Sequence, residues 1–150
     1  VEKDKNDRQK EKKKEILFVG TGIGIAPFVG LVKEALKEKY KVKLFHGART
    51  KKDLLYHQEF IGIAEKNKDF EYISKVTREK VESKEGNDRS NAIEIKNGSV
   101  TKLLMNLDFN KKKNQNIDCY ICGQPKAVRE CKKIMTGKGI KSDKIFCEGF

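Results

Sequence analysis

From Glu15 onward, short apolar runs alternate with amphipathic stretches, and this alternation restricts the fold more than any other feature of the chain. Residues 15–20 (EILFVG) form a continuous apolar run closed by glycine, which suits a strand covered on both faces. APFVGLVKEALKEKY follows, with Phe28, Leu31, Val32, Ala35 and Leu36 at helical spacing and Pro27 in first-turn position. KVKLFHG predicts a second strand, KKDLLYHQEFIGIAEKN a helix with Leu54, Leu55, Phe60 and Ile61 on one side, and FEYISKV a third strand. A polar loop at 80–91 precedes AIEIKNGSVTKLLMNL, which reads as a helix or as a helix broken at Asn97-Gly98. After a second polar loop, IDCYICG predicts a strand, PKAVRECKKIM a helix running from Pro125 to Gly137, and KIFCEGF a last strand. The order implies an α/β domain: an open parallel five-stranded sheet with helices on both faces. Such sheets take ligands beyond the strand C-termini, where the strand order reverses.

The most glycine-rich turn, Gly20-Thr21-Gly22-Ile23-Gly24-Ile25-Ala26-Pro27, joins the first strand to the first helix. Glycines there let the backbone approach a ligand, and a helix N-terminus offers unpaired N–H groups to an anion. Pro27 stands beside the place of the third glycine of a dinucleotide fingerprint, and the Gly-Lys-Ser/Thr ending of a Walker loop is missing. By itself the turn points only to a phosphate-bearing ligand, with a tight structural turn as the plain alternative.

Composition narrows the partners. Thirty-four Lys and Arg against 22 Asp and Glu leave a net charge of +12, which suits nucleic acid, an acidic protein or a phosphorylated small molecule. Nucleic acid is set aside, because neither a reading motif nor an aromatic stacking platform accompanies the charge. No apolar run approaches the ~18 residues of a membrane helix, and no secretory signal opens the chain. An intracellular soluble protein, of cytoplasm or organelle matrix, is the expectation. Four cysteines in 150 residues are too few for a disulfide scaffold. Cys119 and Cys122 have the C-x-x-C spacing of zinc and redox sites, but Cys131 and Cys147 form no second knuckle, and Cys119 lies inside a strand. No metal site is expected. Cys119, Cys131 and Cys147 read as buried small hydrophobes. His46 and His57 have no evident partner and read as packing or surface residues, and Tyr56 and Phe60 as helix-face packing. Residues 1–14 carry seven basic and four acidic side chains and one hydrophobic residue, Val1. They read as a solvated linker, and a start at Val rather than Met reads as the middle of a longer polypeptide.

Four ordered motifs within residues 15–150 resemble the ferredoxin–NADP reductase family. Thr21-Gly-Ile-Gly-Ile-Ala-Pro-Phe28 is similar to its TGTGIAPF turn, with Ile23 where the family often has a second Thr, so a hydroxyl contact is lost there. Leu44-Phe-His-Gly-Ala-Arg49 through Leu54-Leu-Tyr-His-Gln-Glu-Phe60 resembles the second strand and its helix. Val76-Thr77-Arg78-Glu79 resembles the (S/T)RE element, and Tyr120-Ile-Cys122-Gly123-Gln-Pro125 the CG-x-P turn. The Glu148-Gly-Phe150 ending resembles the family's Glu-x-aromatic.

The resemblance implies a Rossmann-like nucleotide-binding domain over 15–150, with residues 1–14 leading from an absent flavin-binding lobe that would hold FAD. It implies NADP(H) with its pyrophosphate along Thr21, Gly22, Ile23, Gly24, Ala26 and Pro27, and contacts at Thr77, Gly123 and Pro125. Arg49, Arg78 and Arg89 would grip a ribose 2′-phosphate, for which guanidinium forks are suited; an acidic residue there would instead favour NAD(H). Cys122 and Glu148 would lie beside the nicotinamide, and Phe150 would cover the flavin ring. Hydride would pass between NADP(H) and FAD, with electrons exchanged with an acidic carrier, ferredoxin or flavodoxin. An NADH-dependent oxygenase reductase or electron-transfer subunit is the alternative, since the ICG-x-P and Glu-x-Phe elements serve both groups.

Overall fold

The computed structural model describes residues 13–81, 94–109 and 116–149. Arg89 and Phe150 lie outside the described residues, as do residues 1–12 of the charged segment. The strands are β1 (Glu15–Thr21), β2 (Lys41–Ala48), β3 (Phe70–Val76), β4 (Lys96–Asn97), β5 (Ile117–Gly123) and β6 (Ile145–Gly149). The helices are α1 (Phe28–Lys37), α2 (His57–Lys66), α3 (Val100–Met105) and α4 (Pro125–Gly137). All strands run parallel, in the order β4-β3-β2-β1-β5-β6. The order reverses at β1, which pairs with β2 on one side and β5 on the other, so the crevice between their C-terminal ends is the switch point.

Among the described residues the sheet has six strands where five were expected. The addition is β4, whose Lys96 and Asn97 pair with Lys75 and Val76 of β3. Two exposed polar residues carry no alternation, so hydropathy could not reveal this strand. The Asn97-Gly98 step that reads as a helix break is the exit from β4 instead, and α3 starts behind it, where the Ser99 hydroxyl accepts the Lys102 N–H at 3.2 Å. The second helix is shorter than its pattern suggests. Residues Lys51–Asp53 form a separate 3-10 turn, and Tyr56 sits at φ +60° before α2 begins. That left-handed residue turns the chain, so that Leu54 and Phe60 are both buried while Tyr56 is half exposed.

Each sheet face carries one core. Phe28, Val32 and Ala35 of α1 and Phe60 of α2 pack with Phe18, Leu44 and Tyr72 on one face. Val100 and Leu104 of α3 and Val128, Cys131 and Met135 of α4 pack with Leu17, Val19, Phe45 and Ile121 on the other. β1 is buried from Ile16 to Gly20, as its continuous apolar run requires. Lys13 and Lys14 tether the entry to β1 through ion pairs with Asp69 (2.9 Å) and Asp118 (2.6 Å).

One polar group interrupts the first core. His46 Nδ1 and His57 Nδ1 lie 2.9 and 2.8 Å from the same Tyr72 hydroxyl. A phenol has one proton to donate, so it can serve at most one bare Nδ1, and both bonds require that at least one imidazole carries Nδ1–H. His46 is fully buried, and burial, with the His57 charge second, lowers its pKa to about 3. It is therefore neutral in the folded protein.

Candidate functional site

The turn after β1 lies directly over the end of β5. A Cβ on Gly24 would stand 2.6 Å from the Cys122 carbonyl carbon and 2.6 Å from the Gly123 nitrogen, so only glycine lets the two backbones meet. Gly123, at φ +153°, is bound by the same approach: a Cβ there would fall on Thr21 Oγ1. Gly22 differs, since its φ of +57° is left-handed but nothing lies within 4 Å of its missing Cβ. The turn is thus anchored at Gly24 and open at Gly22, toward a cleft.

That cleft has a volume of about 580 Å³ and runs from the end of β1 across the ends of β2 and β3. Thr21, Gly22 and Ile23 form one wall, Arg49, Lys52 and Asp53 another, and Thr77 and Gly98 a third. Gln124 and Ala127, at the N-terminus of α4, close it. Ile23 is 70% exposed and gives the cleft an apolar lip where a threonine would give a hydroxyl. The Thr21 hydroxyl is buried, against Gly123, without a hydrogen-bond partner among the described residues. Ala26 donates its N–H to Ile23 O at 3.3 Å, which closes the 3-10 turn over Gly22–Ile25. Pro27 then caps α1. Two helical N-termini and two cations beside a glycine turn can hold a pyrophosphate.

Arg49 and Arg78 stand side by side, because the β2–β3 ladder runs on past the strands: Thr77 N–H donates to Ala48 O (3.1 Å) and Arg78 N–H to Arg49 O (2.8 Å). Both arginines are exposed. Arg49 lines the cleft, and Arg78 is not among its walls. Sequence reasoning missed Asp53, which lines the same cleft and whose carboxylate accepts the Thr50 hydroxyl at 2.8 Å. Its position at the start of an expected helix gave it no distinguishing signal.

A smaller hollow of about 210 Å³ opens between α1 and the β5–β6 edge, with Pro27, Phe28, Cys122, Phe146 and Glu148 among its walls. Cys122 and Glu148 are register partners across β5 and β6, so the two residues adjoin. Pro125 packs behind them, 3.4 Å from where a Cβ on Gly149 would stand. Cys122 is 4% exposed. Burial first, and the Glu148 charge second, push its pKa up, so it is a neutral thiol at physiological pH and no nucleophile.

Cys119 belongs to the α4-side core and Cys122 to the α1-side core. Three residues apart on a strand, they point to opposite faces and cannot converge on one ion. Among the described residues no cluster of three or more His, Cys, Asp or Glu is placed to hold a metal, and no helix is long and apolar enough to cross a membrane. Cys147 is exposed while Cys119, Cys122 and Cys131 are buried, and burial raises the pKa of all four. Iodoacetamide at pH 7.5 is expected to alkylate Cys147 first and slowly. Peptide mass spectrometry that finds Cys119 or Cys131 modified ahead of it would contradict this packing.

Residues 18–133 match the family model for the oxidoreductase NAD-binding domain. The reductase component of propane 2-monooxygenase from Mycolicibacterium goodii is 26% identical over 137 residues, which are 90% of this chain and 37% of that protein. NADH-cytochrome b5 reductase 2 from Debaryomyces hansenii is 46% identical over 59 residues, 37% of this chain and 20% of that protein. The matched residues thus span well under half the length of these relatives. A ferredoxin NADP+ reductase from Neisseria gonorrhoeae, solved with FAD and NADP, superposes with a TM-score of 0.69 at 18% identity, covering 91% of this chain and 56% of that one. The glycine turn locked onto β5, the cleft at the switch point and the Cys122–Glu148 pair now have one context: the chain belongs to the family of oxidoreductase NAD-binding domains.

Proposed function

We propose that this chain is the pyridine-nucleotide lobe of a flavin-dependent reductase, and that it takes NADH in preference to NADPH. The observation that carries the preference is Asp53, which lines the same cleft as Gly22 and Thr77. A carboxylate accepts hydrogen bonds from a ribose diol and repels a 2′-phosphate dianion. Relatives named for an oxygenase and for NADH support the same reading. A second reading, NADP(H), rests on the register of Arg49 beside Arg78.

In this proposal Gly22–Ile25 and the N-terminus of α4 hold the pyrophosphate through backbone N–H groups, with Arg49 and Lys52 adding charge. Asp53 and Thr77 take the adenosine ribose. When bound, dihydronicotinamide would supply a hydride for a flavin held on a companion lobe. Cys122 offers a small, uncharged, water-excluding surface at that end, and Glu148 a carboxylate beside it. The chain's own contribution is orientation. Electrons would leave to an oxygenase component or an iron–sulfur or flavodoxin carrier.

Calorimetric titration with NAD+ and NADP+ tests the preference. The wild type is expected to favour NAD+ by about tenfold, a difference of ~1.4 kcal/mol, and Asp53→Ala to remove most of that margin. Tighter binding of NADP+ by the wild type would reject the preference and favour the arginine pair; binding of neither would reject the nucleotide assignment itself.

A further inference from the structure

We infer that Asn97 is a positioning residue for the adenosine end of the nucleotide, acting through the Thr77–Glu79 turn that it clamps. The inference rests on the nucleotide reading of the cleft proposed above. Thr77 forms part of the cleft wall, yet it lies beyond the end of β3, where the strand no longer dictates its place. From the β2 side the turn is held by two backbone bonds, Thr77 N–H to Ala48 O and Arg78 N–H to Arg49 O. Among the described residues, beyond the β3–β4 ladder and its Gly98 bond to Val76, the opposite side is held by one side chain. Asn97 Nδ2 donates to Val76 O at 3.4 Å and to Glu79 O, and Asn97 Oδ1 accepts the Val81 N–H at 2.8 Å. All three bonds land within residues 76–81, so one amide bridges both ends of the turn.

The register of β4 aims this amide. Asn97 is the partner of Val76, and Gly98 N–H donates to the same Val76 carbonyl at 3.0 Å. Gly98, at φ +134°, then passes into the cleft wall itself. A second strut crosses the other way: the Lys51 N–H donates to Glu79 Oε2 at 2.7 Å, tying the Thr77–Glu79 turn to the 3-10 turn that carries Lys52 and Asp53. Asn97 and Glu79 therefore join the third wall of the cleft to the second without lining the cleft themselves. An amide is needed at 97 because the position must donate twice and accept once, which neither a carboxylate nor a hydroxyl can do.

The test titrates the protein with ADP-ribose, which reaches the clamped walls, and with nicotinamide mononucleotide, which lacks the adenosine end. Asn97→Ala is expected to weaken ADP-ribose about tenfold, the scale of one or two lost hydrogen bonds, and mononucleotide less than about twofold. Asn97→Asp is expected to rescue nothing, since it keeps the acceptor and loses both donors. Glu79→Ala should match Asn97→Ala, and the double variant should be little worse than either, because both act on one turn. If Asn97→Ala does not fold, Glu79→Ala carries the same comparison. Unchanged ADP-ribose affinity in the variants, or equal weakening of both ligands, would overturn the role of Asn97. A wild type that binds no ADP-ribose would overturn the nucleotide reading beneath it.

Discussion

Gly24→Ala is expected to cost ~3 kcal/mol of stability or more and to reduce NAD+ affinity by well over tenfold. The added methyl would stand 2.6 Å from the Cys122 carbonyl carbon, 2.6 Å from the Gly123 nitrogen and 2.7 Å from the Cys122 oxygen. Each of these is a backbone atom of β5, which is hydrogen-bonded on both sides, to β1 and to β6. No rotamer change can make room, so the turn must lift from the sheet and carry Gly22 and Ile23 away from the cleft. Gly22→Ala is the matched control. It meets no atom within 4 Å and bears only left-handed strain, ~1 kcal/mol. Urea midpoints and calorimetric titration of both variants measure the contrast. Equal losses for the two would show that glycine is needed in this turn for its torsion angles and not for the contact with β5.

Acidification is expected to cost the fold roughly 2 kcal/mol between pH 7.5 and pH 5 through His46 alone. The folded state holds the His46 pKa at about 3, against an ordinary value near 6.5. Below pH ~6.5 the unfolded chain takes up a proton that the folded chain refuses. Stability therefore falls with pH over that interval, by up to about 1.4 kcal/mol per unit, and continues to fall until the folded pKa is reached. His57, also lowered by burial, adds in the same direction. Its protonation has a further consequence. Nδ1–H of His57 would then have to donate to Tyr72, and the phenol proton would turn to His46. His46→Asn keeps a polar atom near Tyr72 and removes the titration, so its urea midpoint should change less between the two pH values. An identical pH difference in wild type and variant would show that carboxylates, and not His46, carry the acid sensitivity.

Much of the architecture was legible because it is local. A buried parallel strand announces itself by an unbroken apolar run, as at Ile16–Val19, and α1 and α4 by apolar residues at helical spacing behind a proline. The glycine turn was legible as a run of glycines, and Gly22 answers a local torsional demand, whereas the contact that requires Gly24 comes from β5. Cys122 and Glu148 could be named by resemblance, and β5–β6 pairing then explains why they adjoin: they share a register position.

Other parts were illegible because they depend on residues distant in sequence. β4 has too few residues to show a period and exists only through its pairing with β3. The start of α2 is set by the left-handed Tyr56, where the apolar pattern continues unbroken. His46 and His57 looked partnerless because their shared partner, Tyr72, lies on another strand, brought close by the β2–β3 register. Asp53 became a candidate for nucleotide selectivity only when the 3-10 turn placed it in the cleft beside Thr77.

Sequence alone made legible the alternation of strand and helix and the glycine turn, because each is written in torsional preference and hydropathy over a few residues, while the family resemblance rests on four motifs in order along the chain. Tertiary structure alone decided the sixth strand, the histidine–tyrosine group, the walls of the cleft and the clamp at Asn97. The physical reason is register: hydrogen bonds between parallel strands fix which distant side chains become neighbours, and no local pattern encodes that choice.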